Sequence, residues 1–284
     1  MYQTSIAKTN VISIDQDRFV WRRIGTAPGT PLVLFNYMMG CMDDWDPALI
    51  DRLAEHFSVY LFDSRGVGRS EGTTPASIPQ MAEDAWKFLQ AMGISRMYLL
   101  GFSMGGMVAQ AFAAAHPEAV EKLVLAGTGA SGAAFQDEHT VPLKENALRA
   151  ILRHRDPRYY LMFEQTPKGQ AAANAFLSRL QTRRHDRDLK IRLTSRTLKA
   201  QIKGILAWFS VRIQDPAALS CPTLVLGGER DGMVAVSCAR ELARLIPGAR
   251  LKIYPDCGHG FLFQYPEEAA ADVTAFLKEQ KEQG

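Results

Sequence analysis

Long apolar runs are missing from this 284-residue sequence. No stretch approaches the roughly 20 residues that cross a bilayer, and the first 17 residues have no basic cluster leading into an apolar core. A cytoplasmic protein without a membrane partner is therefore expected. Cysteine is scarce: Cys41, Cys221, Cys238 and Cys257 show neither C-x-x-C pairing nor the Cys/His spacing of a zinc site. Free thiols in a reducing compartment, and no metal, are expected. A net charge of +3 is too small to argue for nucleic acid as a partner. Disorder-prone tracts, internal repeats and low-complexity segments are absent too, and 47% apolar with 22% charged residues is ordinary for a globular chain. One large folded domain, with room for an insertion, fits this length.

Residues 11–14 and 19–24 alternate in polarity around Asp15, Gln16 and Asp17, which predicts an antiparallel hairpin at a sheet edge. Residues 32–35, 59–62, 97–100, 123–126 and 223–226 are short, nearly continuous apolar runs, as strands covered on both faces require. Amphipathic helical stretches at 47–56, 78–92, 104–115 and 234–246 lie among them, and 251–254 and 266–279 supply a last strand and helix. That order predicts an α/β protein with a mostly parallel sheet between helical layers. From 129 to 216 the alternation stops. Helical spacing persists there, as in Leu148, Ile151 and Leu152 or Ile202, Ile205 and Leu206, without a convincing strand. The expected organisation is a core of residues 1–128 and 217–284 carrying a helical cap of residues 129–216.

Gly101-Phe102-Ser103-Met104-Gly105 fits G-x-S-x-G directly after a buried strand and before a helix, the context in which this pattern carries chemistry. A serine on so sharp a turn is held in a strained conformation with its hydroxyl above the sheet. Glycines on either side leave room for the neighbouring chain. The helix that follows points free N–H groups and its positive end at the same place, so the Met104 amide can donate to a developing oxyanion. Alone, the pattern would mean a surface serine on a glycine-rich turn.

A serine hydroxyl needs a base, and the base needs an orienting acid. Asp231, in the loop after strand 223–226, and His259, after strand 251–254, both leave the carboxyl ends of their strands, the edge where open parallel sheets place their sites. A loop histidine is otherwise a solvated group and a loop aspartate a turn former; finding both together with the serine weakens those readings. Glu229 is the rival acid, at a different distance from its strand.

With these residues in view, the chain resembles the α/β-hydrolase family over nearly its whole length outside the cap. Asp63-Ser64-Arg65-Gly66-Val67-Gly68-Arg69-Ser70 is similar to the family's structural D-x-R-G-x-G-x-S segment. Gly101 to Gly106 resembles the elbow of its esterases, cofactor-free haloperoxidases and perhydrolases, and Gly258-His259 resembles its histidine loop. The resemblance implies an eight-stranded sheet, a cap over the site, an acyl-enzyme and no cofactor. A serine at the elbow argues against the family's dehalogenases and epoxide hydrolases, which use aspartate. One departure is Asn36-Tyr37, where many members carry His-Gly. The second oxyanion donor is expected to be the amide of Met38, with that of Tyr37 as the alternative. The Tyr37 ring is either a packed aromatic or a hydroxyl donor in the pocket.

Gly127-Thr128-Gly129-Ala130-Ser131-Gly132 satisfies G-x-G-x-x-G after a strand. A dinucleotide site would also need a helix and a second strand ending in an acidic residue about 20 positions on, whereas Glu145 falls in a helical stretch. These glycines read as a flexible approach to the cap. In the cap, Arg179, Arg183, Arg184, Arg187, Lys190, Arg192, Arg196, Lys199 and Lys203 outnumber Asp186 and Asp188. Such a run is expected to be a solvated face, with an anionic substrate or acidic partner as the alternative. Tyr159, Tyr160, Met162, Phe163, Trp208 and Phe209 are candidates for the roof of an apolar pocket, with Tyr160, Phe163 and Trp208 foremost. The expectation is thus a hydrolase of small-molecule esters or lactones, homo-oligomeric or not. A carbon–carbon hydrolase, a perhydrolase and a small-molecule receptor that keeps the fold are the alternatives.

Overall fold

The computed structural model describes residues 2–133, 143–183 and 194–279. The strands are β1 (Asn10–Ile14), β2 (Asp17–Ile24), β3 (Leu32–Phe35), β4 (Val59–Phe62), β5 (Met97–Phe102), β6 (Val120–Ala126), β7 (Thr223–Gly228) and β8 (Arg250–Tyr254). They form one eight-stranded sheet in the order β1-β2-β4-β3-β5-β6-β7-β8. The first two are antiparallel to their neighbours and the rest run parallel. Of the hairpin, only β1 is an edge strand: β2 also pairs with β4, Trp21 opposite Phe62. The hairpin turn is tighter than its sequence suggests, because Asp17 pairs with Ile14 and Asp15 takes a positive φ of 55°, as two-residue hairpins demand.

Helices in chain order are α1 (Gln3–Ile6), α2 (Pro47–Ala54), α3 (Ile78–Ala91), α4 (Met104–Ala115), α5 (Leu143–Leu152), α6 (Arg158–Leu161), α7 (Pro167–Leu180), α8 (Ser195–Ser210), α9 (Val236–Leu245), α10 (Phe261–Gln264) and α11 (Pro266–Lys278). The apolar strands are explained by burial on both faces. Leu32, Leu34, Leu100, Val124 and Leu226 pack with Leu49 and Leu53 of α2 and Val273 and Leu277 of α11. Their neighbours Val33, Leu99, Leu123, Leu125 and Val225 pack with Phe88 of α3, Phe112 of α4 and Leu242 of α9. A period of two thus feeds two separate cores.

Every regular element described between β6 and β7 is helical. Arg179 and Arg183 of this region are not solvated, contrary to the expectation for the basic run. Arg179 grips Asp46 with Nε and Nη2 at 2.8 and 2.6 Å, and Asp46 in turn caps α2 through the Ala48 amide at 2.9 Å. Arg183 is buried and donates to the Thr4 carbonyl at 2.8 Å. Planar guanidinium forks suit such buried pairing. Arg196, Lys199 and Lys203 are exposed, as expected; Arg184, Asp186, Arg187, Asp188, Lys190 and Arg192 lie outside the described residues. Among the described residues, no helix is long and apolar enough to cross a membrane, and no cluster could hold a metal ion.

Candidate active site

Ser103 joins β5 to α4 with φ 57° and ψ −121°, a region that costs a non-glycine residue about 1–3 kcal/mol. Close packing holds it there. Its amide donates to the Ala126 carbonyl of β6 at 2.8 Å. A Cβ on Gly101 would strike the Gly105 backbone, one on Gly105 would strike the Phe35 carbonyl, and one on Gly106 would meet Thr128 at 2.6 Å. Gly101 and Gly105 therefore let one stretch of backbone touch another, Gly106 admits the Thr128 side chain, and the serine is left at the carboxyl edge of the sheet, 8% exposed.

His259 and Asp231 meet beside it. Asp231 accepts from the Met233 and Val234 amides with Oδ1, both at 2.9 Å, and its Oδ2 lies 2.7 Å from His259 Nδ1. The carboxylate must be met by a proton on Nδ1, which leaves Nε2 as the basic nitrogen. Nε2 is buried and has no partner among the described residues. Phe102, the residue before the serine, stacks on the imidazole at 4.9 Å. A Cβ on Gly127 would sit 3.2 Å from the His259 ring, so this residue, the one after Ala126, fixes the histidine next to the elbow. Glu229 is exposed and its amide only braces the loop, donating to the Tyr254 carbonyl at 2.9 Å. Cys257, two residues from the histidine, is fully buried, and that burial pushes its thiol up to about 12.

Asn36 shapes the turn where the sequence departs from the family pattern. Its Oδ1 accepts the Tyr37 amide at 2.9 Å, its Nδ2 donates to the Cys41 carbonyl, and the Gly40 amide closes the turn on the Tyr37 carbonyl at 3.0 Å. Met39 takes φ 61° and donates its amide to Gln201 at 2.8 Å. The amides of Cys41 and Met42 go to Asp44 and Asp63. From Tyr37 to Met42, Met38 alone keeps an amide without an acceptor among the described residues. The Met104 amide, first in α4, is likewise unspent. The Tyr37 ring packs edge-on to Phe102 at 5.5 Å, and its hydroxyl accepts from Arg158 at 3.4 Å, beside the Arg158–Asp44 ion pair. It is the packed aromatic of the two readings.

The helical segment between β6 and β7 reaches the histidine loop through its α6–α7 connection. The Met162 carbonyl accepts the Gly260 amide at 2.6 Å, and a Cβ on Gly260 would lie 3.0 Å from the Phe163 ring. Tyr160 packs against Tyr159 at 4.9 Å and under Arg149. Trp208 departs from its expected place in the roof. It has no accessible surface and its indole donates to the Gly129 carbonyl at 3.1 Å, so it belongs to the core joining cap to sheet. The glycines of G-x-G-x-x-G are also not a flexible approach: Gly127 abuts His259, Gly129 abuts Phe209 and Gly132 abuts Arg212. Asn36 stood out in the sequence only as a departure from the family pattern and Gly127 only as part of a glycine motif, neither with a role at the site. Gln201 was not singled out, and nothing in the local pattern marks it.

Known proteins share this arrangement of chain. The family described as alpha/beta hydrolase fold matches residues 30–266. A Caulobacter protein named "Putative carbamate hydrolase RutD" is 30% identical over 238 residues, 82% of this chain and 85% of its own. The poly(3-hydroxyalkanoate) depolymerase of Ectopseudomonas oleovorans is 30% identical over 279 residues, 92% of this chain and 90% of its own. A solved α/β-hydrolase-fold protein from Chitinophaga pinensis superposes with a TM-score of 0.88 at 29% identity, covering 98% of this chain and 100% of that one. Sheet order, helical layers and these matches agree that the chain is a hydrolase-fold enzyme and belongs to the α/β-hydrolase family.

Proposed function

We propose that this enzyme is a serine hydrolase that cleaves a carboxylic ester or lactone of a small, largely apolar molecule through an acyl-enzyme on Ser103. The observation that carries the reading is the buried Nε2 of His259, without a partner among the described residues, opposite a 2.7 Å bond to Asp231 and next to the serine's own strand end. Nε2 takes the Ser103 proton as Oγ attacks the carbonyl carbon, and the Met38 and Met104 amides receive the oxyanion. The same proton passes to the departing alkoxide as the tetrahedral intermediate collapses to an ester on Ser103. Water, deprotonated by Nε2, then attacks that ester; the acid leaves and the serine regains its proton. Asp231 keeps its charge throughout and steadies the imidazolium. The depolymerase relative supports the reading, because a polyhydroxyalkanoate is itself a polyester.

p-Nitrophenyl esters of increasing chain length, together with simple lactones, should be turned over, and a fluorophosphonate should label Ser103 alone and stop the reaction. Labelling at another residue, or full activity in Ser103→Ala, would overturn the assignment.

A further inference from the structure

Helix α8 ties the cap to three loops at the carboxyl ends of strands. Thr197 Oγ1 donates to the Gly66 carbonyl beyond β4 at 3.1 Å. Gln201 Oε1 accepts the Met39 amide beyond β3 at 2.8 Å, and Trp208 Nε1 donates to the Gly129 carbonyl beyond β6. Together with Gly204 these residues form the buried face of the helix, at the spacing one face allows. Only the Gln201 bond reaches the turn that carries the Met38 amide.

That turn needs outside support. Met39 holds a left-handed φ of 61°, which a non-glycine residue keeps only when its surroundings over-determine it. The Tyr37 and Gly40 amides are satisfied within the turn itself, but the Met39 amide is satisfied by the cap. Gln201 is 2% exposed and shares the wall of one cavity with Asn36, Met104 and Gly105, so it stands against both the turn and the start of α4. We propose that Gln201 is a positioning residue for the oxyanion hole: by holding the Met39 N–H, it fixes the backbone at Met38 so that the Met38 amide points to the site above Ser103. This rests on the acyl-enzyme reading. Without the Gln201 acceptor, the Met39 N–H loses its partner in a part-buried place, a cost that favours reorienting the peptide joining Met38 to Met39.

The test compares Gln201→Met, which removes the acceptor at similar size, with Gln201→Asn, whose amide falls one methylene short, and with Gln201→Glu, which restores an acceptor. The first two should lower kcat on a p-nitrophenyl ester about 10- to 100-fold, the scale of a displaced oxyanion donor, with KM changed by less than about 2-fold. They should weaken inhibition by a trifluoromethyl ketone, which forms an oxyanion on serine, by the same factor as kcat/KM, and Gln201→Glu should recover most of the loss. Thr197→Val, which cuts a different α8 bond, should lower the melting temperature with kcat kept. Native kcat and ketone affinity in a folded Gln201→Met or Gln201→Asn would overturn the assignment, as would a loss equal to that of Thr197→Val. A native enzyme whose Ser103 a fluorophosphonate leaves unlabelled would overturn the acyl-enzyme reading itself, a distinguishable failure.

Discussion

Ser103 pays for its place in the elbow with backbone strain, and that strain makes a prediction. Glycine accepts φ 57° and ψ −121° without a Cβ penalty, so Ser103→Gly should stabilise the protein by about 1 kcal/mol or more while abolishing hydrolysis. Ser103→Ala keeps the strain, so it should lose activity without that gain in melting temperature. Equal melting temperatures for the two variants would show that the turn is unstrained. The acid is tested just as directly. Both Asp231 oxygens are engaged and the residue is 4% exposed, whereas Glu229 is exposed. Asp231→Asn should cost up to about 10⁴-fold in kcat by presenting the wrong histidine tautomer, and Glu229→Gln should cost almost nothing; the reverse ranking in a steady-state assay would reassign the acid. These residues were legible in the sequence because the chemistry dictates their type and the sheet edge dictates their loops. Gln201 was not, since a polar side chain that braces a distant turn leaves no periodicity in its neighbourhood.

The loop between β4 and α3 shows what an element needs beyond its hydrophobic pattern. Asp63 is 1% exposed and accepts the Met42 and Arg69 amides at 2.7 and 2.8 Å, so it ties the loop after β3 to the loop after β4. Burial raises its carboxyl to about 6, above the unfolded value of about 3.9. Between these values the folded chain holds a proton that the unfolded chain has released, so this group's contribution to stability is complete below about pH 4 and declines as the pH rises to about 6, by roughly 3 kcal/mol. Asp63→Asn should be less stable overall, having one acceptor fewer for two amides, with a flatter pH dependence across that window. Denaturant melts of both proteins at pH 4, 5 and 6 measure the difference, and parallel curves would refute it. The strands were readable for a plain reason: β3, β5, β6 and β7 are buried on both faces and carry continuous apolar runs. The start of β2 was harder, because Asp17 and Arg18 are polar and are drawn into the strand by pairing with Ile14 and Ser13 of β1.

At the scale of the whole molecule, the helical segment between β6 and β7 meets the rest of the chain through apolar packing, as where Phe176 stacks on Phe263 at 4.5 Å, and through polar bonds: Arg179 to Asp46, Gly260 to Met162, and the three ties of α8. Such ties explain why the basic run misled. A helix surface rich in arginine looks solvated until a partner carboxylate, here one 133 residues away in sequence, is brought to it. They also explain why Trp208 could not be placed from sequence, since a helical aromatic reads alike as roof or as core. The central claim is that the sheet edge performs acyl transfer on Ser103. Mass spectrometry of the enzyme quenched in acid during turnover of a p-nitrophenyl ester tests it most directly. Asp231→Asn, if it slows deacylation, would build up the intermediate further. The intact mass should rise by one acyl group, and peptide mapping should place that group on Ser103. Rapid p-nitrophenol release with no acyl adduct, or with the adduct on another residue, would contradict the account.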